Sequence, residues 1–126
     1  MSRFVTMQTS LPAHVQVHLR QLGVVHYGSL QAVYEDMVNK FLRIKPWEAE
    51  SPLAWRGAPS RQGMASAGCS VANVALSEEL AERVEEALKE INLGTWKGHE
   101  SRGITRKTFL YTAVYWWVTY VYPQGR

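Results

Sequence analysis

The 126-residue sequence predicts a mostly helical α+β fold in which one small strand-helix-helix unit occurs twice. Three observations predict this fold. Two runs of residues, RFVTMQTSL and SVANVAL, alternate along the chain with the period of two that is typical of strands. Each run is followed by two segments with the apolar spacing of amphipathic helices. The runs end in Leu11 and Leu76, 65 residues apart, so we expect a repeated unit.

The first unit is expected to span residues 1–44. After its strand, Pro12 suits the first turn of a helix, where the missing N–H would have no helical partner. Gly23 is predicted to end this helix. Ser29 is predicted to cap a second helix, whose buried face includes Val33, Met37 and Phe41.

Residues 45–69 are predicted to be a connector, because they contain three prolines and many small residues without a sustained apolar period. Trp47 and Trp55 lie within this segment. We expect both side chains to pack on the fold, since two free tryptophans would expose much apolar area.

The second unit is expected to span residues 70–126. Ser77 is predicted to cap its first helix, and the carboxylates of Glu78 and Glu79 suit the first turn. Thr105 is predicted to cap a second helix over TRKTFLYTAVYWWVTYVY. This segment is rich in residues that favour strands. We assign a helix because its apolar positions match those of the second helix one repeat earlier. A membrane span is not expected, because such a span needs about 20 mainly apolar residues.

Length and charge place the chain among small globular proteins. A chain of 126 residues fits one domain, residues 1–126, and its net charge of +3 does not by itself indicate a nucleic-acid partner. Cys69 is the only cysteine, so no internal disulfide is possible. The N-terminal segment lacks the apolar stretch of a signal peptide, and we expect a cytoplasmic protein.

The sequence contains no motif that indicates an enzyme. A nucleophile elbow, a phosphate loop and a dinucleotide-binding fingerprint are all missing. His14 and His18 are spaced to share one helix face, but two ligands alone are insufficient for a metal site. We therefore expect a protein with no enzymatic activity, no metal and no cofactor.

Four segments resemble the ribbon-helix-helix family of DNA-binding proteins: VALSEELAERV (74–84), GITRKTFLYTAV (103–114), TSLPAHVQVHL (9–19) and GSLQAVYEDMV (28–38). Most members of this family dimerise and pair their strands into an antiparallel ribbon. The resemblance therefore implies that two ribbon-helix-helix repeats in one chain form a pseudo-twofold domain, a monomer that acts as an internal pseudo-dimer.

Tandem members of this kind are similar to accessory proteins of conjugation and of T-DNA transfer. The resemblance implies double-stranded DNA as a partner, together with a relaxase or other DNA-processing proteins. A transcriptional repressor or an antitoxin of the same fold is an alternative. Another alternative is a protein-interaction module that has lost the ability to read DNA.

A two-stranded ribbon fits the DNA major groove, where Gln and Asn side chains pair with adenine. Alternation along the strands predicts six central outward positions: Thr6, Gln8, Ser10, Val71, Asn73 and Ala75. We expect Gln8 and Asn73 to read bases, with assistance from Thr6 and Ser10. None of the six positions is basic, and Arg3 lies nearby in the sequence. The alternative is a solvated polar strand face.

Phosphate contacts are expected at the start of each second helix, where free backbone N–H groups bind anions. Ser29 and Thr105 occupy these starts, and Arg106 with Lys107 adds positive charge at the second one. Lys97 and Arg102 would extend the basic edge, or they would belong to a solvated charged loop.

The last helix carries more aromatic residues than one buried face requires: Tyr111, Tyr115, Trp116, Tyr120 and Tyr122. They are expected either to enlarge the core or to form an exposed patch that docks another protein.

Overall fold

The computed structural model describes residues 4–57, 68–93 and 103–123 of the chain. Its main elements are β1 (Phe4–Pro12), α1 (Ala13–Leu22), α2 (Leu30–Ile44), β2 (Cys69–Ser77), α3 (Glu78–Leu93) and α4 (Arg106–Trp116). One-turn π-helices extend α1 over Gly23–Tyr27 and α4 over Trp117–Val121. The predicted α+β class, mostly helical with each strand followed by two helices, is confirmed.

The two strands form an antiparallel ribbon, as the resemblance implies. Phe4 pairs with Ser77 at one end and Pro12 pairs with Cys69 at the other, so the two strands match over their full nine-residue lengths. Successive side chains point to opposite faces of a strand. The inward series is buried against the helices and comprises Met7, Thr9, Leu11, Ala72, Val74 and Leu76.

The helices cover the inner face of the ribbon in a crossed arrangement. Helix α4, from the C-terminal half, packs on β1, whereas α2, from the N-terminal half, packs on β2. Side chains from both halves form one hydrophobic core, in which Leu19, Met37, Val84 and Trp117 are fully buried. Each strand therefore lies under a helix from the other half of the chain.

Serine and threonine side chains cap three of the helices at the predicted positions. The Ser29 Oγ accepts a hydrogen bond from the Ala32 N–H at 3.1 Å, and the Thr105 Oγ1 accepts one from the Thr108 N–H at 3.2 Å. At the start of α3, the Leu80 N–H donates to the Ser77 Oγ at 3.3 Å. These bonds satisfy N–H groups that have no carbonyl partner within the helix.

The α-helical part of the first helix ends at Leu22 with Gly23 as its C-cap residue, as predicted, but Gly23 does not turn the chain out of the helix. Gly23 has right-handed helical angles, and the backbone continues through the π-helical turn to Gly28, which has a φ of 85°. Gly23 is needed for close approach instead, because a Cβ there would lie 2.9 Å from the Leu30 backbone nitrogen. Gly28, rather than Gly23, supplies the left-handed residue that ends the segment.

The tryptophans of the connector pack on the fold, as predicted. The Trp47 ring centroid lies 5.0 Å from that of Phe41 on α2, and the Trp55 ring stacks on Phe109 of α4 at 6.0 Å. One residue further on, the Arg56 N–H donates to the Thr112 Oγ1 at 2.9 Å. The first part of the connector is thus attached to both second helices.

The segment with conflicting strand and helix signals is helical, as the repeat predicts. Its predicted face is buried at Phe109, Leu110, Ala113, Val114 and Trp117, and half-buried at Val118 and Val121. Burial of this face outweighs the strand preference of its aromatic and β-branched residues. Within the described parts of the chain, none of the helices has the length and apolar composition that crossing a membrane requires.

Candidate nucleic-acid interface

The outer face of the ribbon has an exposed pair of amide side chains at its centre. Gln8 and Asn73 are each the middle residue of their strand, and they face each other in the register. The Gln8 Nε2 donates a hydrogen bond to the Asn73 Oδ1 at 2.9 Å. Both side chains are exposed, so the outward orientation that the sequence predicts for them is confirmed.

Thr6 and Val71 flank the amide pair on the same face, and both are exposed. Thr6 pairs with Ala75 across the ribbon, and Val71 pairs with Ser10. Neither strand, from Phe4 to Pro12 and from Cys69 to Ser77, contains a charged residue. Near the centre of the ribbon this face therefore presents only methyl, hydroxyl and amide groups, and the exposed ring of Phe4 lies at one end.

The prediction that Ser10 faces solvent is wrong, because its exposed fraction is only 2%. On the outer face, Ser10 lies between Gln8 and Pro12 along its strand and opposite Val71. Ser10 is therefore not positioned as a base-reading residue beside Gln8.

Thr9, on the inner face, connects the ribbon to the start of α4. Its Oγ1 donates to the carbonyl oxygen of Lys107 at 3.1 Å, and its exposed fraction is 1%. The bond fixes the position of the first turn of α4 relative to β1. The sequence offered one signal for this contact, a hydroxyl residue at an inward position, because buried hydroxyls generally have a hydrogen-bond partner.

Glu35 makes the corresponding connection between α2 and β2. Its Oε1 accepts from the Ser77 N–H at 2.7 Å, and its Oε2 lies 3.5 Å from the Ser77 Oγ. A carboxylate at the start of α3 is favoured by the helix dipole. Sequence reasoning missed this residue, since nothing local indicates a bond between positions 42 residues apart.

The starts of α2 and α4 differ in charge. The first turn of α4 contains Arg106 and Lys107, whereas the corresponding positions after the Ser29 cap are Leu30 and Gln31. Both caps are exposed, and the backbone N–H groups beside them are of the kind that bind phosphate. The positive charge is therefore at one of the two helix starts.

Arg106 already has an anionic partner. Its Nε donates to the Glu85 Oε1 of α3 in an ion pair, and both side chains are substantially exposed. Exposed pairs of this type contribute little stability, typically about 0–1 kcal/mol. A phosphate that binds Arg106 would therefore compete with Glu85 at a small energetic cost.

Three predicted contact residues, Arg3, Lys97 and Arg102, lie outside the described residues, and their role stays a prediction. Among the residues that are described, no group of three or more His, Cys, Asp or Glu side chains could hold a metal ion. His18, one of the paired histidines, places its Nε2 2.9 Å from the Tyr122 carbonyl oxygen.

Burial perturbs two tyrosines, both outside the ribbon. It raises the pKa of Tyr34 to about 12 and also raises the pKa of Tyr27. The Tyr27 hydroxyl also donates to the Asp36 Oδ2 at 2.7 Å, which favours the protonated phenol. Asp36 in turn pairs with Lys40 at 3.0 Å. These groups fix the turn that follows α1 rather than act on the outer face.

The aromatic residues of the last helix contribute mainly to the core. Trp116 is 7% exposed and lies 5.5 Å from Phe41 between ring centroids, so it does not form part of an exposed patch. Tyr120 is 64% exposed. Tyr115 is half-buried beneath the Arg56 guanidinium, 3.8 Å from its ring centroid.

Comparisons with known proteins do not assign a family: no family model, no curated protein and no solved structure matches the chain.

Proposed function

We propose that this chain is a non-enzymatic DNA-binding protein of the ribbon-helix-helix type. Its two strand-helix-helix units form a single-chain pseudo-dimer, with the ribbon in the major groove of duplex DNA and the helix starts on phosphates. The observation that carries the proposal is the exposed Gln8–Asn73 pair at the centre of an antiparallel ribbon.

The register supports internal twofold symmetry. The sequence repeat relates each strand residue to the one 65 positions later, so Gln8 corresponds to Asn73. In the ribbon, these two corresponding residues are also directly paired. In an antiparallel ribbon with twofold symmetry, a residue pairs with its own equivalent only at the axis. The axis of the proposed pseudo-dimer therefore passes through the Gln8–Asn73 pair.

The crossed packing of the helices also supports a pseudo-dimer. Thr9 of β1 bonds to the start of α4, and Ser77 of β2 bonds to Glu35 of α2, so each strand depends on a helix from the other unit. A single unit would leave the inner face of its strand and the apolar faces of its helices exposed to water. Two units together bury one shared core, as a domain of this size requires.

The two-stranded form of the ribbon and its amide side chains suit direct contact with bases. A two-stranded ribbon enters the major groove, and Gln and Asn amides make paired hydrogen bonds to the N6 and N7 atoms of adenine. With one Gln8 N–H directed at Asn73, Gln8 retains its Oε1 and a second N–H for DNA. Asn73 retains both N–H groups of its amide.

The resemblance of the repeated segments suggests the biological role. We propose an accessory factor of conjugative or T-DNA transfer, which binds near the site where a relaxase acts. A repressor or an antitoxin with the same fold would use the same ribbon. Genomic neighbours distinguish these roles: relaxase and secretion genes favour the transfer role, and an adjacent toxin gene favours an antitoxin.

The proposal is tested by fluorescence anisotropy with labelled duplexes over a series of salt concentrations. Because neutralised phosphates release counterions, the logarithm of the binding constant should fall linearly with the logarithm of salt concentration. A duplex pool with a random centre, carried through selection, then reports sequence preference. Absence of duplex binding at low salt would reject the proposal.

A second candidate function is a protein-interaction module that has lost DNA reading. It is favoured by the uncharged outer face of the ribbon and by the pairing of Arg106 with Glu85. The exposed Tyr120 is then the aromatic anchor for a partner. Under this alternative, the double substitution Arg106→Ala with Lys107→Ala leaves function in cells intact, and Tyr120→Ala reduces it. Loss of function in the double variant rejects the module.

A further inference from the structure

Val71, which sequence reasoning did not include among the contact residues, occupies the position equivalent to Thr6. The 65-residue repeat relates residue 6 to residue 71, and both side chains are exposed on the outer face of the ribbon. Thr and Val have nearly the same shape and share a β-branched methyl group. The two positions therefore present a methyl group at equivalent places on either side of the Gln8–Asn73 pair.

The exposure of Val71 is not explained by packing. Its exposed fraction is 49%, whereas Val74, on the inner face of the same strand, is fully buried. The neighbours of Val71 on the outer face are Asn73 along the strand and the buried Ser10 across it. An apolar side chain is thus held beside polar groups, on the surface that the proposed function directs at DNA.

The chemistry of this face matches one kind of base pair. Arg and Lys are the usual readers of guanine, and Asp and Glu accept from cytosine; the two strands contain none of these residues. Gln and Asn suit adenine, and methyl groups contact the C5-methyl of thymine. The amide and methyl groups exposed near the centre of the ribbon therefore suit an A·T pair.

We infer that the ribbon recognises a duplex whose central base pairs are A·T, with Thr6 and Val71 packed against thymine methyl groups and Gln8 with Asn73 bonded to adenines. This inference rests on the proposed DNA-binding function and adds the class of target and a specificity residue. Thr6 and Val71 are separated by four residue steps along the ribbon, about 14 Å. That distance spans roughly four base-pair steps of 3.4 Å.

At two positions on the outer face, short side chains would allow the ribbon to approach the bases closely. Ser10 is buried and Ala75 is half-buried, and these two positions are equivalent in the repeat. Small side chains there leave the two methyl groups and the amide pair as the most prominent features. Along a diagonal of the ribbon, the methyl group of Thr6 is followed by the Gln8–Asn73 amide pair and then by the methyl groups of Val71.

The first experiment is selection from a 30-base-pair duplex pool with ten random central positions, using the intact chain. Sequencing of the bound fraction should show enrichment of A·T at four to six central pairs. The best duplex is then prepared with uracil in place of each central thymine in turn, which removes only the C5-methyl group. Burial of one methyl group corresponds to about a fourfold change in dissociation constant. We expect that loss at thymines contacted by Thr6 or Val71.

Matched variants assign the contacts. Val71→Thr and Thr6→Val keep a methyl group at each position and should retain the sensitivity to uracil, whereas Val71→Ser and Thr6→Ser should lose it at one thymine each. Both substituted positions are exposed, and thermal unfolding checks that each of the four variants folds. Enrichment of G·C pairs, or equal binding of thymine and uracil duplexes with salt-sensitive affinity retained, would overturn the inference and leave the proposed function standing. Absence of any salt-sensitive duplex binding would overturn both.

Discussion

Gln8 and Asn73 are joined by a 2.9 Å hydrogen bond between side chains at the middle of the two strands. The bond is on the exposed face, so it links two groups that water would otherwise solvate. Its contribution to the free energy of folding is accordingly small, because this bond replaces hydrogen bonds that the two amides would otherwise make to water. Its main effect is to hold both amides in a defined arrangement on the surface.

Substitution of either amide should therefore change DNA discrimination more than stability. We expect Gln8→Ala and Asn73→Ala to alter the free energy of unfolding by no more than about 1 kcal/mol. Each should reduce discrimination between the selected duplex and a mismatched one by about 1–3 kcal/mol. Because the two amides are bonded, the double variant should lose less than the sum of the single losses. Strict additivity in anisotropy titrations would show that the amides act independently.

The unequal charge at the two helix starts leads to a second prediction. Gln31 and Lys107 occupy the same position after their caps, Ser29 and Thr105. Lys107→Gln should weaken duplex binding and reduce the salt slope by about one, since one fewer phosphate is neutralised. Gln31→Lys should raise affinity and increase the slope by a similar amount. Unchanged slopes in both variants would exclude these helix starts from the DNA contact.

The close packing at Gly23 predicts a specific loss of stability. In Gly23→Ala, the added Cβ would meet the backbone of Ser29 and Leu30 at 2.9–3.1 Å, so one of the two segments must shift. We expect a decrease in the free energy of unfolding of about 1–3 kcal/mol. Gly57→Ala is the matched control, because its Cβ meets nothing within 4 Å. Urea denaturation should leave the control within about 0.5 kcal/mol of the original chain.

The buried Tyr34 predicts a loss of stability in alkali. Burial raises its pKa from 10.0 to about 12, although the charge of Arg20 partly opposes the shift. The neutral phenol is favoured in the folded chain, so this stabilisation is complete below pH 10 and disappears as the pH rises towards 12. The free energy of unfolding should fall by up to about 3 kcal/mol across that window. Tyr34→Phe should show a shallower decline, and parallel curves for the two proteins would contradict the assignment.

Patterns within one strand or helix were sufficient to predict much of the fold. Alternation gave the strands and the outward positions of Gln8 and Asn73, and cap residues marked the starts of three helices. The helical assignment at α4 needed the repeat, because its residues individually favour strands. The strands and the caps depend on neighbours in sequence, which explains why they could be predicted.

The features that sequence reasoning missed depend on residues distant in the chain. Ser10 is buried although alternation places it on the outer face, where it pairs with Val71 of the other strand. The bond from Ser77 to Glu35 and the pairing of Arg106 with Glu85 join separate elements. Gly23 has a helical backbone, and its requirement for glycine appears only when the Ser29 backbone lies against it. No local period indicates any of these contacts.

The packing of Trp47 and Trp55 determines where the chain can be cut into two fragments that still fold together. Both rings pack against Phe41 and Phe109, so residues as far as Arg56 belong to the folded body rather than to a free tether. A cut between residues 57 and 68 should therefore yield two pieces that reassemble, whereas a cut before Trp47 would remove ring contacts from the N-terminal piece. In the intact chain the two pieces are covalently joined, so their association does not depend on dilution.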